Sequence, residues 1–142
     1  WENTLVISIA DHGSKMPGNS DIFNKDKYHI PMLWLGGALN VQDTIIENLA
    51  SQTDLVSTLL SQLKINDDDF NYSNNILNPG RVPYAFFTFN NGFGFLKPGN
   101  LMIYDAITNS YSGGDPGQDS INWKQGKAYL QSMFNDFRSK NK

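Results

Sequence analysis

Apolar residues fall into short blocks separated by polar segments, and the first block lies close to residue 1. Five of the six residues from Leu5 to Ala10 are apolar, with a strong share of β-branched side chains. This pattern predicts a strand covered on both faces, as parallel strands of an α/β sheet usually are. Asp11, His12 and Gly13 follow directly. Open α/β sheets bind ligands just outside the carboxyl ends of their strands, so this tripeptide is the first candidate site.

Two further elements are predicted before residue 65. The polar, Gly- and Pro-punctuated segment 14–27 is expected to be a loop over the site, followed by a second buried strand within residues 28–37. Ser51 and Asp54 then stand at capping-box spacing. The apolar positions that follow share one helical face: Leu55, Val56, Leu59, Leu60 and Leu63. We therefore expect an amphipathic helix packed on a sheet.

The second half predicts a small antiparallel meander and a terminal helix. Strands within residues 84–89 and 93–96 flank an Asn-Asn-Gly turn, and a further strand starts at Leu101. Residues 71–80 are interpreted as a mobile connection, and Arg81 as an exposed arginine. The many aromatic residues of the meander are expected in the core rather than on a sugar-stacking surface. Asp119 or Ser120 is expected to cap the last helix, which carries these apolar residues on one face: Trp123, Leu130, Met133, Phe134 and Phe137.

Composition narrows the class of function. The chain has 142 residues, a formal net charge of −3 and no long Lys/Arg block, which argues against nucleic acid as a partner. It contains no cysteine, which excludes thiolate metal sites and a cysteine nucleophile in this segment. No stretch approaches the roughly 20 apolar residues that a membrane helix needs. A single domain is the default for this length.

Asp11 and His12 offer one hard oxygen and one borderline nitrogen, a pair suited to a divalent ion. The competing interpretation is an ordinary turn or helix-capping Asp beside a hydrogen-bonded His. Two ligands do not close a metal site. The residue types alone leave both interpretations open.

The segment from Trp1 to Gly13 resembles the C-terminal Asp-His-Gly segment of the alkaline phosphatase superfamily, in particular the sulfatases and lipoteichoic acid synthase-like phosphoglycerol transferases. The segment 52–60 is similar to a sulfatase pattern, with Ser57 in place of its usual proline. The Phe-rich run 86–95 resembles the tail of the lipoteichoic acid synthase-like branch. The resemblance implies an α/β fold: the C-terminal part of a sulfatase-like sheet-and-helix domain, with residues 1–65 as the metal-site part and 66–142 as the meander and terminal helix.

The resemblance also implies the chemistry. Asp11 and His12 would bind a divalent metal ion, whether manganese, magnesium, calcium or zinc. His29 would contact a sulfate or phosphate ester substrate, although a surface His at the start of a strand is an equally ordinary alternative. The family's nucleophile has no counterpart here, so no catalytic residue is expected in these 142 residues. The nucleophile is expected in an upstream part of the same polypeptide.

Two classes of function follow. The first is a fragment of a metal-dependent sulfatase or phosphoglycerol transferase that acts on a cell-envelope glycolipid or polymer. Such an enzyme would be extracytoplasmic and membrane-anchored through an upstream segment. The second is a non-catalytic module that binds glycan or protein and in which Asp11 and His12 are vestigial.

Overall fold

The structure is a computed structural model that describes residues 1–13, 21, 23–41, 43–113 and 119–141, with the side chains of the terminal helix described from residue 121. It divides into two compact units, Trp1–Glu47 and Asn48–Lys142. The sequence places the helix after residue 50 in the first part of the chain, residues 1–65. In the structure this helix belongs to the second unit. None of the helices in the described ranges is both long and apolar enough to cross a membrane.

The first unit contains two short strands, β1 (Val6–Ile9) and β2 (Met32–Leu35), joined through a 3₁₀ helix at Lys25–Tyr28. The strands pair antiparallel, in a register that sets Val6 opposite Leu35 and Ile9 opposite Met32. The prediction of a parallel strand covered on both faces is wrong for the described residues.

The exposure of this hairpin also differs from the prediction. Val6, Met32, Leu33 and Leu35 are between 39% and 53% exposed. A run of apolar residues indicates that a strand has apolar faces, but it does not indicate which part of the protein covers them. The second strand, predicted as buried, is therefore shorter and more exposed than the sequence indicates.

The second unit is built on a four-stranded antiparallel meander in chain order: β3 (Ala85–Phe89), β4 (Gly92–Lys97), β5 (Asn100–Asp105) and β6 (Ser110–Ser112). On one face of the first hairpin, Phe87 lies opposite Gly94 and Phe89 opposite Gly92. A Cβ on either glycine would lie within 2.3 Å of the ring of its partner. Each phenylalanine ring thus lies over the backbone of the glycine opposite it, in space that the side chain of a larger residue would fill.

The other face of the meander carries the core. Phe93, Phe95 and Met102 are buried there, beneath the terminal helix α2 (Asp119–Lys140). Gly126 allows this close packing, because a Cβ at that position would lie 2.9 Å from the Met102 methyl group. The aromatic residues at the centre of the meander are therefore core, as predicted, although Phe134 and Phe137 of α2 are more than half exposed.

The helix α1 (Asp54–Gln62) is held by the irregular segment that follows it. Ser57 N–H donates to Ser73 Oγ, and Ile76 N–H donates to Thr58 Oγ1. Ile76 is buried. Residues 71–80 are therefore a fixed connection rather than the mobile one predicted, because their polar side chains and backbone pair with α1.

The structure also corrects the prediction that Arg81 is exposed. Its side chain is buried rather than exposed and pairs with Asp54 at the start of α1. Asp54 lies 27 residues away in sequence, so no local pattern indicates the pair.

Candidate metal and ester-binding site

Asp11 and His12 lie at the carboxyl end of β1, in the turn that leaves the hairpin. The strand ends at Ile9, and Ala10 N–H donates to Pro31 O at 3.4 Å. This hydrogen bond carries the strand pairing one residue beyond the regular ladder. The predicted strand-end position of the two side chains is therefore observed, although the strand belongs to an antiparallel hairpin.

The two side chains converge. Asp11 Oδ1 lies 3.6 Å from His12 Nε2, and the side chains are 89% and 81% exposed, respectively. His12 Nδ1 lies 2.9 Å from Gly13 O. A carbonyl oxygen can only accept a hydrogen bond, so Nδ1 is the donor in this contact, and Nε2 is the ring nitrogen that faces Asp11. A carboxylate oxygen and an imidazole nitrogen therefore lie side by side in solvent.

His29 is brought to the same end of the hairpin. The residue numbers of each pair in β1 and β2 add to 41. If the same register is continued beyond the strands, His12 lies opposite His29. The contact at Gly13 supports the continuation, because a Cβ there would lie 1.7 Å from Lys27 O and 3.4 Å from Tyr28 Cα. The turn after β1 thus packs against the segment that precedes β2.

A small turn fixes the backbone of His29. Asn24 Oδ1 accepts from Asp26 N–H at the start of the 3₁₀ helix, and His29 N–H donates to Asp26 O at its end. The His29 side chain is exposed. Burial, with a smaller contribution from Asp21, raises the pKa of the neighbouring Tyr28 hydroxyl. The Asn-x-Asp spacing of this turn was a sequence signal that the prediction of a plain loop overlooked.

The described residues contain no cluster of three His, Cys, Asp or Glu side chains that could hold a metal ion. Most of the predicted loop over the site, residues 14–20 and 22, lies outside the described residues. Asp11 and His12 thus supply two donors of the right chemistry. A complete metal site needs further ligands.

Part of the chain matches a known protein family. Residues 1–65 match the family model described as Sulfatase. That match covers both the hairpin with its Asp-His pair and helix α1. No curated protein matches the sequence.

A solved structure supports the fold over a longer range. A protein of the alkaline phosphatase superfamily from Vibrio parahaemolyticus matches with a TM-score of 0.69 and 22% sequence identity, over 94% of this chain and 35% of that one. This chain therefore spans about a third of the length of its structural neighbour. The predicted alkaline phosphatase- and sulfatase-like α/β fold is confirmed.

Proposed function

We propose that this chain is part of a metal-dependent enzyme that cleaves or transfers a sulfate or phosphate ester, with Asp11 and His12 as two ligands of one divalent ion. One observation carries the proposal. Asp11 Oδ1 and His12 Nε2 lie 3.6 Å apart at the end of β1, and His12 Nδ1 is occupied by the contact with Gly13 O, which leaves Nε2 as the nitrogen that a metal ion would bind in the neutral ring. The sulfatase match over residues 1–65 supports the ester chemistry.

The spacing of the two donor atoms fits a shared ion. Nitrogen and oxygen ligands bind zinc at about 2.0–2.2 Å, so two ligands of a tetrahedral ion lie about 3.4 Å apart. The hydrogen bond from His12 Nδ1 to Gly13 O is the kind of outer contact that orients a metal-binding imidazole. The ordinary alternative is a solvent-exposed ion pair between Asp11 and a protonated His12, which would add little to stability.

The roles of the residues follow from their positions. A bound ion would lower the pKa of a nucleophile and neutralise charge on the transferred group. His29, set opposite His12 by the strand register, would donate a hydrogen bond to an ester oxygen. The nucleophile and the remaining ligands would come from other parts of a longer polypeptide.

The finer assignment concerns the branch of the superfamily. The Phe-rich run of β3 and β4 resembles the lipoteichoic acid synthase-like enzymes, and on that resemblance we propose phosphoglycerol transfer to a cell-envelope glycolipid or polymer. The same resemblance favours an extracytoplasmic enzyme anchored in the membrane by an upstream segment.

Metal titration of this chain tests the ligand assignment. We expect weak binding of manganese or zinc, because the described residues supply two ligands, and we expect the His12 ring signals in a ¹H–¹⁵N spectrum to move first. Asp11→Ala and His12→Ala should abolish the shift, whereas Asp26→Ala, which removes an exposed carboxylate nearby, should leave it unchanged. Equal effects of all three variants would contradict the assignment.

Turnover tests the function. The substrates are aryl sulfate, aryl phosphate and a phosphoglycerol lipid, each with added manganese. The full-length polypeptide should act on at least one of them, whereas this chain alone should act on none. Activity of the isolated chain that disappears in His12→Ala would require a nucleophile within these 142 residues and would overturn the proposal.

A further inference from the structure

The terminal helix and the meander line an apolar hollow of about 220 Å³ in the second unit. Phe93 of β4 and Tyr104 of β5 form its floor. The helix contributes the wall from successive turns of one face: Trp123, Lys127, Leu130, Gln131 and Phe134. The hollow is therefore bounded by four aromatic rings, one Leu and two polar side chains.

The size of the hollow limits what it can hold. A buried apolar cavity of about 150 Å³ binds benzene, so about 220 Å³ accommodates one aromatic ring or a short alkyl chain. Phe134, at the end of the wall, is 57% exposed, so the hollow is open to solvent on that side. An apolar ring that entered here would contact aromatic faces on the floor and on the wall.

The polar groups at the hollow indicate the rest of the ligand. Lys127 Nζ lies 4.9 Å from the centre of the Trp123 ring and forms no ion pair within the described residues. The Lys127 side chain is exposed, so among the described residues its ammonium group is a free cation at the edge of the hollow. A ligand that carries an anion beside its apolar group would pair with it.

We propose that this hollow binds a small amphiphilic anion, in which one aromatic ring or short alkyl chain is joined to a phosphate, sulfate or carboxylate. The apolar group lies between Tyr104 and Phe134, and the anion lies at Lys127. The site belongs to the second unit and does not depend on the function proposed for Asp11 and His12.

Benzyl phosphate is a suitable probe, with benzyl alcohol and inorganic phosphate as its two halves. The indole signal of Trp123, assigned by its loss in Trp123→Phe, reports binding in a ¹H–¹⁵N spectrum. We expect benzyl phosphate to move it with a Kd on the order of 1 mM. Benzyl alcohol should bind more weakly, and inorganic phosphate alone should not move the signal.

Two variants and a matched control separate the contributions. Lys127→Gln should weaken benzyl phosphate by about two- to five-fold and leave benzyl alcohol unchanged. Lys124→Gln, which removes an exposed lysine of the same helix, should change neither. Phe134→Ala should weaken both ring-containing probes by about two- to ten-fold. Because Phe134 is largely exposed, this variant should retain the fold.

Three results would overturn the proposal. The first is a Trp123 signal that does not respond to benzyl phosphate at 10-fold its expected Kd. The second is equal weakening by Lys127→Gln and Lys124→Gln. The third is concentration-dependent dimerisation in sedimentation that Phe134→Ala abolishes, since the hollow would then be an interface between two copies of the chain.

Discussion

Arg81 Nη2 donates to Asp54 Oδ2 at 2.8 Å, and the side chains of the two residues are 5% and 1% exposed. The other carboxylate oxygen of Asp54 accepts from Asn74 N–H and from the Asn74 side chain. Arg81 also donates to Leu49 O. The pair therefore joins the start of α1 to the connection after it and to the segment before β3.

The first prediction concerns the loss of one partner of this pair. Asp54→Ala leaves the buried Arg81 guanidinium without its carboxylate, which should lower the free energy of unfolding by about 3–5 kcal/mol. Urea denaturation followed by circular dichroism measures the change. Asp136→Ala, which breaks the exposed Asp136–Lys140 pair of α2, is the control and should have a much smaller effect.

The double variant Asp54→Ala/Arg81→Met tests the cause. It should recover part of the loss, because removing both charges leaves no unpaired ion in the interior. A double variant less stable than Asp54→Ala by the full cost of Arg81→Met alone would show that the two residues act independently.

The Asp54–Arg81 pair also shows which features the sequence predicts. Helix α1, the turn at Asn91 and the terminal helix α2 were predicted because capping residues, Asn-Gly and helical spacing act within a few residues of each other. The choice of Asp54 as the partner of Arg81 depends on the folded path between them. Local sequence carries no signal for it.

The candidate site also combines local features that the sequence predicts with long-range features that it does not. The position of Asp11 and His12 at a strand end follows from an apolar run that stops at a polar tripeptide. Pairing of that strand with β2, which places the segments that hold His12 and His29 at the same end, depends on strand register. Exposure of Val6 could not be predicted, because an apolar side chain does not specify the surface that covers it.

The second prediction concerns Gly126 in α2. Replacing an exposed helical Gly by Ala normally stabilises a helix by about 1 kcal/mol. At Gly126 the new methyl group would lie 2.9 Å from Phe93 and 3.0 Å from Phe95 Cβ, so overpacking of about 1–3 kcal/mol should outweigh that gain. Thermal denaturation of Gly126→Ala should show a lower Tm.

A variant at an exposed position of the same helix is the control for Gly126. Ala128→Gly should destabilise by about 1 kcal/mol, which measures the helix propensity term without the packing term. A higher Tm for Gly126→Ala would mean that the helix and sheet are farther apart than the structure shows.

The third prediction concerns Tyr129. Burial, followed by the nearby Tyr84 and Asp54, raises the pKa of its hydroxyl well above the ordinary value of about 10. The unfolded chain therefore loses this proton at a lower pH than the folded chain. The stability contributed by the neutral hydroxyl is fully present below about pH 10 and is lost as the pH rises above it.

Denaturation midpoints between pH 8 and pH 11.5 measure this effect. Tyr129→Phe should reduce the loss of stability above pH 10. Tyr111→Phe, which removes the hydroxyl of a half-exposed tyrosine, is the control and should not. An equal alkaline slope in the wild-type chain and in Tyr129→Phe would contradict the assignment to Tyr129.

The last prediction concerns Gly13, which holds the candidate metal turn against the segment before β2. A Cβ at this position would lie 1.7 Å from Lys27 O, so Gly13→Ala must separate the two segments. We expect the variant to lose the weak metal response of His12 and to shift the ring signals of both His12 and His29. Gly80→Ala is the control, since its Cβ would meet only Asn78 Oδ1, at 3.4 Å. An unchanged His12 metal titration in Gly13→Ala would show that the contact with Lys27 does not position the Asp11–His12 pair.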